Sequence, residues 1–279
     1  MELTAHTQAL IDLALMEDMS GGDITTRATI TDNHRSTAAV SAKEDLVLAG
    51  IPVFHAVFER LGEGVLITDK CSDGDVVSKG TVIIEVKGPT ATLLMGERTA
   101  LNFLMRLSGI ATLTRQCVDA VAGTNAAVVD TRKTTPGWRY LEKYAVRMGG
   151  GRNHRFSLSD GVLIKDNHIT ASGGIAEALG RAQKHAPHTS RIEVEVSNVE
   201  QISEALDAGA DILLLDNMTP HEITDAVGLI DGRAMVEASG GITLDNIRAY
   251  AEAGVDFISL GALTHGAQSV DINMKIMTA

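Results

Sequence analysis

Basic residues are concentrated in one stretch of this chain, DTRKTTPGWRYLEKYAVRMGGGRNHRFSLSDGVLIKDNH, residues 130–168. The stretch holds eight Lys and Arg against four Asp and Glu, although the 279 residues together carry a net charge of −12. Arg132 and Lys133 follow an apolar run, Arg155 follows a GGGRNH turn, and Lys165 ends another apolar run. Several guanidinium and ammonium groups in one pocket would bind an anion with more than one carboxylate or phosphate.

The other bases of the stretch include Arg139, Lys143 and Arg147, which recur every four residues after Pro136. Residues four apart lie on one face of an α-helix, and the residues on the opposite face here are apolar. We interpret these three bases as a solvated stripe that takes no part in the anion pocket.

Short apolar runs alternate with helical patterns from residue 128 onward: VVDTRK, GVLIKDN, RIEVEVSN, DILLLDN, AMVEASGG and DFISLGA. Alternation of strand and helix indicates βα units and a parallel sheet, and six units favour a barrel over an open doubly wound sheet. Side chains alternate along a strand, so Glu193 and Glu195 share one face in RIEVEV. An open sheet would bury both carboxylates, whereas the inner face of a barrel can be polar near its carboxyl end.

Polar residues end each of the six predicted strands, and the carboxyl ends of barrel strands form the active-site mouth. Strand ends are polar in many proteins, but six in succession favour a functional reading. The loops SGGI (239–242) and LGALTHG (260–266) would form a phosphate site, the first leading into a helix near Thr243, unless their glycines serve only as turns.

Two carboxylates, Glu195 and Asp216, end neighbouring predicted strands opposite the basic residues. Beside a polyanion they would hold Mg²⁺ or stabilise a cationic transition state, although ion pairing with the nearby bases is almost equally favoured. His154 and His168 lack metal-ligand spacing, and His265 lies in the second glycine-rich loop.

The first part of the chain has a different pattern. Residues 4–18 and 52–61 have a helical period, short β-rich runs separated by turns fill residues 38–86, and a long helix is predicted from about 91 to 107. Arg98 lies near the middle of that helix. We therefore expect a small α+β domain before the barrel.

Composition and sequence patterns disfavour several classes of binding partner and several cellular locations. The acidic balance disfavours nucleic acid and anionic membranes, which require a broad basic face. Cys71 and Cys117 show no metal or disulfide spacing, no apolar run is long enough to span a bilayer, and the first residues do not resemble a signal peptide. We expect a cytoplasmic protein.

The chain resembles the quinolinate phosphoribosyltransferase family over nearly its whole length. The matching segments are EDMSGGDITT, ERTALNFLMRLSGIAT, DTRKTTPG, LEKYAV, GGGRNHR, LIKDNHI, EVEV, LLLDNM, EASGGI and DFISLGALTH. The resemblance implies an α/β protein with an N-terminal open-faced α/β sandwich (1–107, rejoined by about 267–279) and an incomplete, seven-stranded α/β barrel (108–266).

The resemblance also implies an activity, in which quinolinate and phosphoribosyl pyrophosphate give nicotinate mononucleotide, pyrophosphate and CO₂ in NAD synthesis, with Mg²⁺. The implied catalytic residues are Lys133, Lys165, Glu195 and Asp216. The implied quinolinate site is Arg98, Thr131, Arg132, Lys133, His154, Arg155 and Lys165, with Arg98 supplied by the partner subunit of a homodimer. The implied phosphoribosyl pyrophosphate site is Glu195, Asp216, Ser239, Gly240, Gly241, Leu260, Gly261, Ala262 and His265, and Glu195 and Asp216 would bind the metal directly or through water.

Three other functions fit parts of the sequence. A related phosphoribosyltransferase group associated with molybdenum transport shares DTRK but lacks LIKDNH. A Schiff-base aldolase would use Lys165 as an inward-facing barrel lysine, which the several arginines disfavour. A biotin or lipoate carrier would use the DGDVVSKG hairpin, but Lys79 is not in a recognisable attachment motif.

Overall fold

The computed structural model describes residues 1–31 and 33–277, which form two compact units. Unit 1 comprises Met1–Arg115, Thr134–Gly150 and Leu263–Ala279, and unit 2 comprises Gln116–Lys133 and Gly151–Ala262. The divisions therefore lie near 115 and 262, compared with the 107 and 266 inferred from the sequence, and residues 134–150 belong to unit 1.

The helices and strands are numbered here in chain order. They are α1 (Ala5–Met19), α2 (Ile24–Thr29), β1 (Arg35–Ala42), β2 (Leu46–Val47), α3 (Ile51–Leu61), β3 (Leu66–Asp69), β4 (Val76–Val77), β5 (Val82–Pro89), α4 (Thr90–Ala120), β6 (Ala127–Val129), α5 (Arg139–Met148), β7 (Val162–Ile164), α6 (Asp166–Ser172), α7 (Ile175–His185), β8 (Ile192–Val196), α8 (Val199–Asp207), β9 (Ile212–Asp216), α9 (Pro220–Ile230), β10 (Met235–Ser239), α10 (Ile247–Glu252), β11 (Phe257–Ser259), α11 (Ala262–His265) and β12 (Ile272–Ile276).

Unit 1 is built on a four-stranded antiparallel sheet in the order β12-β1-β5-β3. The C-terminal strand β12 pairs with β1, with Met274 opposite Val40. Alternate residues of β1, including Ala38 and Val40, are fully buried, as the period of two requires for a sheet covered on one face. Helix α3 has an apolar face with Phe54 and Phe58 buried in the core.

Helix α4 is longer than the sequence predicts, because it continues past position 107 to Ala120. In the structure Gly109 allows close approach of another segment, since a Cβ atom there would lie 1.9 Å from the Gln268 carbonyl oxygen. Ser108 Oγ donates to the Ala49 carbonyl at 3.2 Å, so neither residue ends the helix.

Helix α5 corrects the interpretation of the three evenly spaced bases as a solvated stripe. Arg147 is exposed, but Lys143 is only 2% exposed and is a core side chain of unit 1. Its neighbour Glu142 is also fully buried and accepts hydrogen bonds from Arg106 Nη2 at 3.0 Å and Thr135 Oγ1 at 2.8 Å. Burial of this face could not be read from spacing, because charged residues four apart usually mark the solvent side.

Unit 2 is built on a six-stranded parallel sheet in the order β6-β11-β10-β9-β8-β7. All six strands predicted from the apolar runs are present. A single parallel bridge between Val129 and Arg152 adds a further pairing beside β6. Helices α7, α8, α9 and α10 connect successive strands, as right-handed βα units require. The parallel sheet fits a partial α/β barrel and confirms the predicted fold class.

Within residues 1–31 and 33–277, none of the helices combines the length and the apolar character needed to cross a membrane.

Candidate active site

The polar side chains predicted to form a mouth lie at one edge of the unit 2 sheet. Lys165 directly follows β7, Glu195 lies near the end of β8, and Asp216 and Ser239 are the last residues of β9 and β10. Ser239 is in register with Asp216 on one side and with Ser259 on the other. Because all the strands are parallel, these residues share the carboxyl edge of the sheet.

A buried carboxylate, Asp130, anchors the segment that carries His154 and Arg155. Asp130 follows β6 and is fully buried. Its oxygens accept hydrogen bonds from Asn153 Nδ2 at 2.6 Å and from the His154 backbone N–H at 2.9 Å. Its own N–H donates to the Arg152 carbonyl at 3.2 Å. Asp130 therefore fixes residues 152–155 against the end of the first strand of the sheet.

Several of the predicted basic residues are brought together at this edge. The pKa of Arg155 is lowered, first by burial and then by the charge of Arg132, while Glu193 opposes the shift. Lys165 Nζ makes a close ion pair with Glu195 Oε2. The Lys133 side chain is exposed, and the Lys133 backbone N–H donates to Thr131 Oγ1 at 3.0 Å. The charge of the Arg132 guanidinium group therefore acts on the pKa of Arg155, which requires the two groups to lie close together.

Two predicted site residues, Arg98 and His265, belong to unit 1. Arg98 is exposed on α4 and lines a cavity of about 630 Å³, together with residues of α1 and Trp138. The Trp138 ring stacks on Phe103 at a centroid distance of 4.8 Å. His265 ends the short helix α11 and is exposed.

The loop after β10 has a backbone that favours glycine at two positions. Gly240 and Gly241 have φ values of +94° and +63°. A Cβ atom on Gly240 would lie 2.3 Å from Asn217 Oδ1, whereas nothing would lie within 4 Å of a Cβ atom on Gly241. The loop is therefore held closely against the residue that follows β9.

The helix after this loop does not begin near Thr243, as the sequence predicted. It begins at Ile247, because Asn246 closes an intervening turn: its Oδ1 accepts from the Thr243 N–H at 2.8 Å and its Nδ2 donates to the Gly241 carbonyl at 3.2 Å. In the second loop, by contrast, α11 begins at Ala262, directly after Gly261, and the Leu260 N–H donates to the Val129 carbonyl at 3.0 Å.

Two groups of side chains have ligand atoms of the kind that bind a metal ion. The predicted pair, Glu195 and Asp216, ends neighbouring strands with carboxylate oxygens, which are the ligands that Mg²⁺ prefers. Asp216 Oδ2 accepts from Asn217 Nδ2 at 2.6 Å and Glu195 Oε2 is paired with Lys165, so Asp216 Oδ1 and Glu195 Oε1 are the oxygens with the chemistry to bind Mg²⁺ or its waters.

The second group is a buried trio, Glu193, Glu237 and His154, whose candidate ligand atoms lie within 4.8 Å of one another. His154 Nδ1 accepts the Arg155 N–H at 2.7 Å, so the ring proton is on Nε2, the atom that faces both carboxylates. A histidine that binds a metal through Nε2 carries its proton on Nδ1 and donates it to another group. Here Nδ1 accepts a hydrogen bond instead. The hydrogen bond to Nδ1 therefore disfavours a metal ion at Nε2.

Sequence reasoning placed His154 among the substrate residues but missed its link to Glu193 and Glu237. Alternation put Glu193 on the polar face of its strand with Glu195, but it did not reveal that Glu193 and Glu237 would meet across β9. His168, left without a metal role, accepts the Lys165 N–H through Nδ1 at 3.0 Å and so caps the start of α6.

Polar side chains gathered at the carboxyl edge of a parallel sheet are typical of α/β-barrel enzymes, and the surplus of bases indicates one that acts on anions. Family descriptions agree: residues 23–108 match the quinolinate phosphoribosyl transferase N-terminal domain, and residues 110–275 match the C-terminal domain. The chain belongs to the quinolinate phosphoribosyltransferase family.

Individual relatives match over almost their full length. The probable nicotinate-nucleotide pyrophosphorylase [carboxylating] of Bacillus subtilis is 46% identical over 267 residues, covering 96% of this chain and 92% of the relative. Its counterpart from Methanocaldococcus jannaschii is 44% identical, covering 99% of each chain. The solved nicotinate-nucleotide pyrophosphorylase of Francisella tularensis is 39% identical, with a TM-score of 0.94 over 98% of this chain and 96% of that one.

The two glycines of the first loop provide a matched test of its geometry. Gly241→Ala should lower the free energy of unfolding by about 1 kcal/mol, the cost of a left-handed backbone for alanine. Gly240→Ala should cost about 3 kcal/mol or more, because the added Cβ atom also meets Asn217. Chemical denaturation followed by circular dichroism measures both values. Equal costs would contradict the close packing of this loop.

Proposed function

We propose that this protein transfers the phosphoribosyl group of phosphoribosyl pyrophosphate to quinolinate, with decarboxylation to nicotinate mononucleotide. Membership of the family carries the reaction to this chain. The observation that supports it in the structure is the cluster of Arg132, Arg155 and Lys165 at the carboxyl edge of the unit 2 sheet. Neither the molybdenum-transport group nor an aldolase is supported by the relatives, which are carboxylating nicotinate-nucleotide pyrophosphorylases.

The basic cluster suits the quinolinate side of the reaction. Quinolinate carries two adjacent carboxylates, and guanidinium groups bind carboxylates through paired hydrogen bonds. In our proposal Arg132 and Arg155 hold these carboxylates, with Lys133 and Lys165 completing the positive field and Thr131 at the rim. Binding of a dianion would also offset the burial and the repulsion from Arg132 that together lower the pKa of Arg155.

The carboxylates and glycine-rich loops suit phosphoribosyl pyrophosphate. We assign its 5′-phosphate to the backbone N–H groups of the two loops, since a phosphate needs donors and close backbone approach. The first loop contributes Ser239, Gly240 and Gly241, and the second contributes Leu260, Gly261 and Ala262, with His265 as a further predicted contact. Mg²⁺, when bound by Glu195 and Asp216 directly or through water, would supply charge neutralisation for the pyrophosphate.

The side chains would work mainly by orientation and electrostatics. The basic cluster holds the pyridine nitrogen toward the ribose C1, where the carbon–nitrogen bond forms as the bond to pyrophosphate breaks. Glu195 and Asp216 place negative charge beside the ribose, which acquires oxocarbenium character. After transfer the ring nitrogen is positive, so it stabilises the electron pair that stays on C2 when the carbon–carbon bond breaks and CO₂ departs. A proton then adds to C2.

We further propose a homodimer in which Arg98 serves the partner subunit's quinolinate site. Arg98 is exposed on α4, and the neighbouring apolar side chains Leu13 and Met16 of α1 are 57% and 60% exposed. An exposed apolar surface around a charged group is typical of an interface whose charge meets a partner.

A product assay tests the reaction itself. Incubation with quinolinate, phosphoribosyl pyrophosphate and Mg²⁺ should release CO₂ and form nicotinate mononucleotide in equal amounts. Nicotinic acid is the matched control, because it lacks only the 2-carboxylate, and it should give no significant turnover. Turnover of nicotinic acid without turnover of quinolinate would overturn the assignment.

Mixed dimers test both the role of Glu195 and the sharing of Arg98. Arg98→Ala and Glu195→Gln should each lower kcat/KM at least about 100-fold as homodimers. Co-expression of the two chains should restore about a quarter of wild-type activity, since half of randomly paired dimers are mixed and each has one intact site. In the control experiment, Arg98→Ala is co-expressed with Glu200→Gln, a substitution at an exposed residue of α8. If Arg98 served its own subunit, co-expression of Arg98→Ala with Glu195→Gln would restore nothing.

A further inference from the structure

Two glutamates that the proposed mechanism does not use are buried beside the basic cluster. Glu193 of β8 and Glu237 of β10 are 5% and 4% exposed. Within the described residues, Oε1 of each has no hydrogen-bond partner. Two carboxylates buried close together would cost several kcal/mol if both were ionised, so the protein must neutralise at least one of them.

His154 does not supply the missing positive charge. Its Nε2 lies 3.2 Å from Glu193 Oε2 and 3.7 Å from Glu237 Oε1, so both carboxylates face the same ring nitrogen. Because Nδ1 accepts the Arg155 N–H, Nδ1 carries no proton, and the imidazole with its single proton on Nε2 is neutral. The Nε2 nitrogen is thus within hydrogen-bond distance of Glu193 Oε2 only, while Glu237 Oε1 lies beyond that distance. A second proton is therefore needed in the trio, and Glu237 is the carboxylate that the ring does not stabilise.

Glu237 is the member of the trio whose surroundings favour that proton. Burial and the charge of Glu193 raise the pKa of Glu237 to about 7, while the positive end of the His154 Nε2–H bond, a hydrogen bond from Ser259 and the charge of Lys165 oppose the rise. Within the described part of the chain, these four residues are the titratable and polar groups that affect the pKa of Glu237, and they come from the segment after β6, from β8, from β11 and from the end of β7.

We propose that Glu237 is a positioning residue that works as a neutral carboxylic acid, so that the trio carries one negative charge. With a single charge, Glu193 holds the His154 ring, and the ring holds the Arg155 main chain, without adding a second anion beside the quinolinate carboxylates. Ionisation of Glu237 would add that second charge and weaken quinolinate binding. This inference rests on the proposed function for its kinetic consequence, but the proton on Glu237 can be observed without substrate.

The pH dependence of quinolinate binding is the first test. As pH rises from 6 to 8, Glu237 ionises, the binding-competent fraction falls, and the quinolinate KM and Kd of the wild type should rise about tenfold. Glu237→Gln keeps the shape of the neutral acid and cannot ionise, so its KM should change less than twofold over the same range. A purely structural role predicts the same pH profile for both proteins and would overturn the proposal.

A second variant covers the case in which Glu237→Gln does not fold. Ser259→Ala removes a hydrogen bond that favours the ionised carboxylate, so the pKa of Glu237 should rise and the midpoint of the KM profile should move to higher pH. A midpoint that stays in place or moves to lower pH would contradict the assignment to Glu237.

Spectroscopy separates this inference from the proposed function. The infrared spectrum of the free wild-type protein near pH 6 should contain a carboxylic acid C=O band that is lost by pH 8.5 and is absent in Glu237→Gln. Nitrogen NMR of ¹⁵N-histidine protein, assigned with His154→Asn, should place the His154 proton on Nε2. If these signals appear but quinolinate does not bind, the proposed function is wrong and the protonated state of Glu237 is still confirmed. An ionised Glu237 at pH 6, or a stoichiometric divalent ion lost in Glu237→Gln, would overturn the trio.

Discussion

Charge balance at the carboxyl edge of the unit 2 sheet is the constraint on which the other features depend. Parallel strands bring their polar ends to one edge, and alternation directs the polar side chains of each strand to one face. Carboxylates and bases therefore meet in a partly buried space, where an unpaired charge is costly. Asp130 accepts two hydrogen bonds, Glu195 pairs with Lys165, and Glu193 Oε2 lies 3.2 Å from His154 Nε2. Arg132 and Arg155 lie close together at the same edge, and they are the bases to which we assign an anionic substrate.

The sequence predicted the parts of this arrangement that depend on periodicity. Runs such as RIEVEVSN and DILLLDN identified the six parallel strands, because buried parallel strands are short, apolar and rich in branched residues. The same alternation placed Glu193 and Glu195 on one face and thereby predicted a polar mouth. The resemblance to a known family then supplied the chemistry, which neither spacing nor composition could have specified beyond an anion with several charges.

The features that the sequence did not predict depend on contacts between distant segments. Lys143 has the spacing of a surface residue but is buried, since the face of α5 that it shares packs within unit 1. Helix α4 continues through Gly109 because that glycine makes room for the backbone at Gln268. The protonation of His154 follows from one hydrogen bond to its Nδ1 and from two glutamates on strands separated by a third. None of these relationships is local in the chain.

The account rests on the claim that the site recognises two adjacent carboxylates, and a binding measurement tests it most directly. Calorimetry with the wild-type protein at pH 6.5, without phosphoribosyl pyrophosphate, would compare quinolinate with nicotinate, which has the same ring and one carboxylate fewer. Loss of one charge-assisted pair costs about 2–3 kcal/mol, so quinolinate should bind about 100-fold more tightly. Equal affinity for the two compounds would contradict the account.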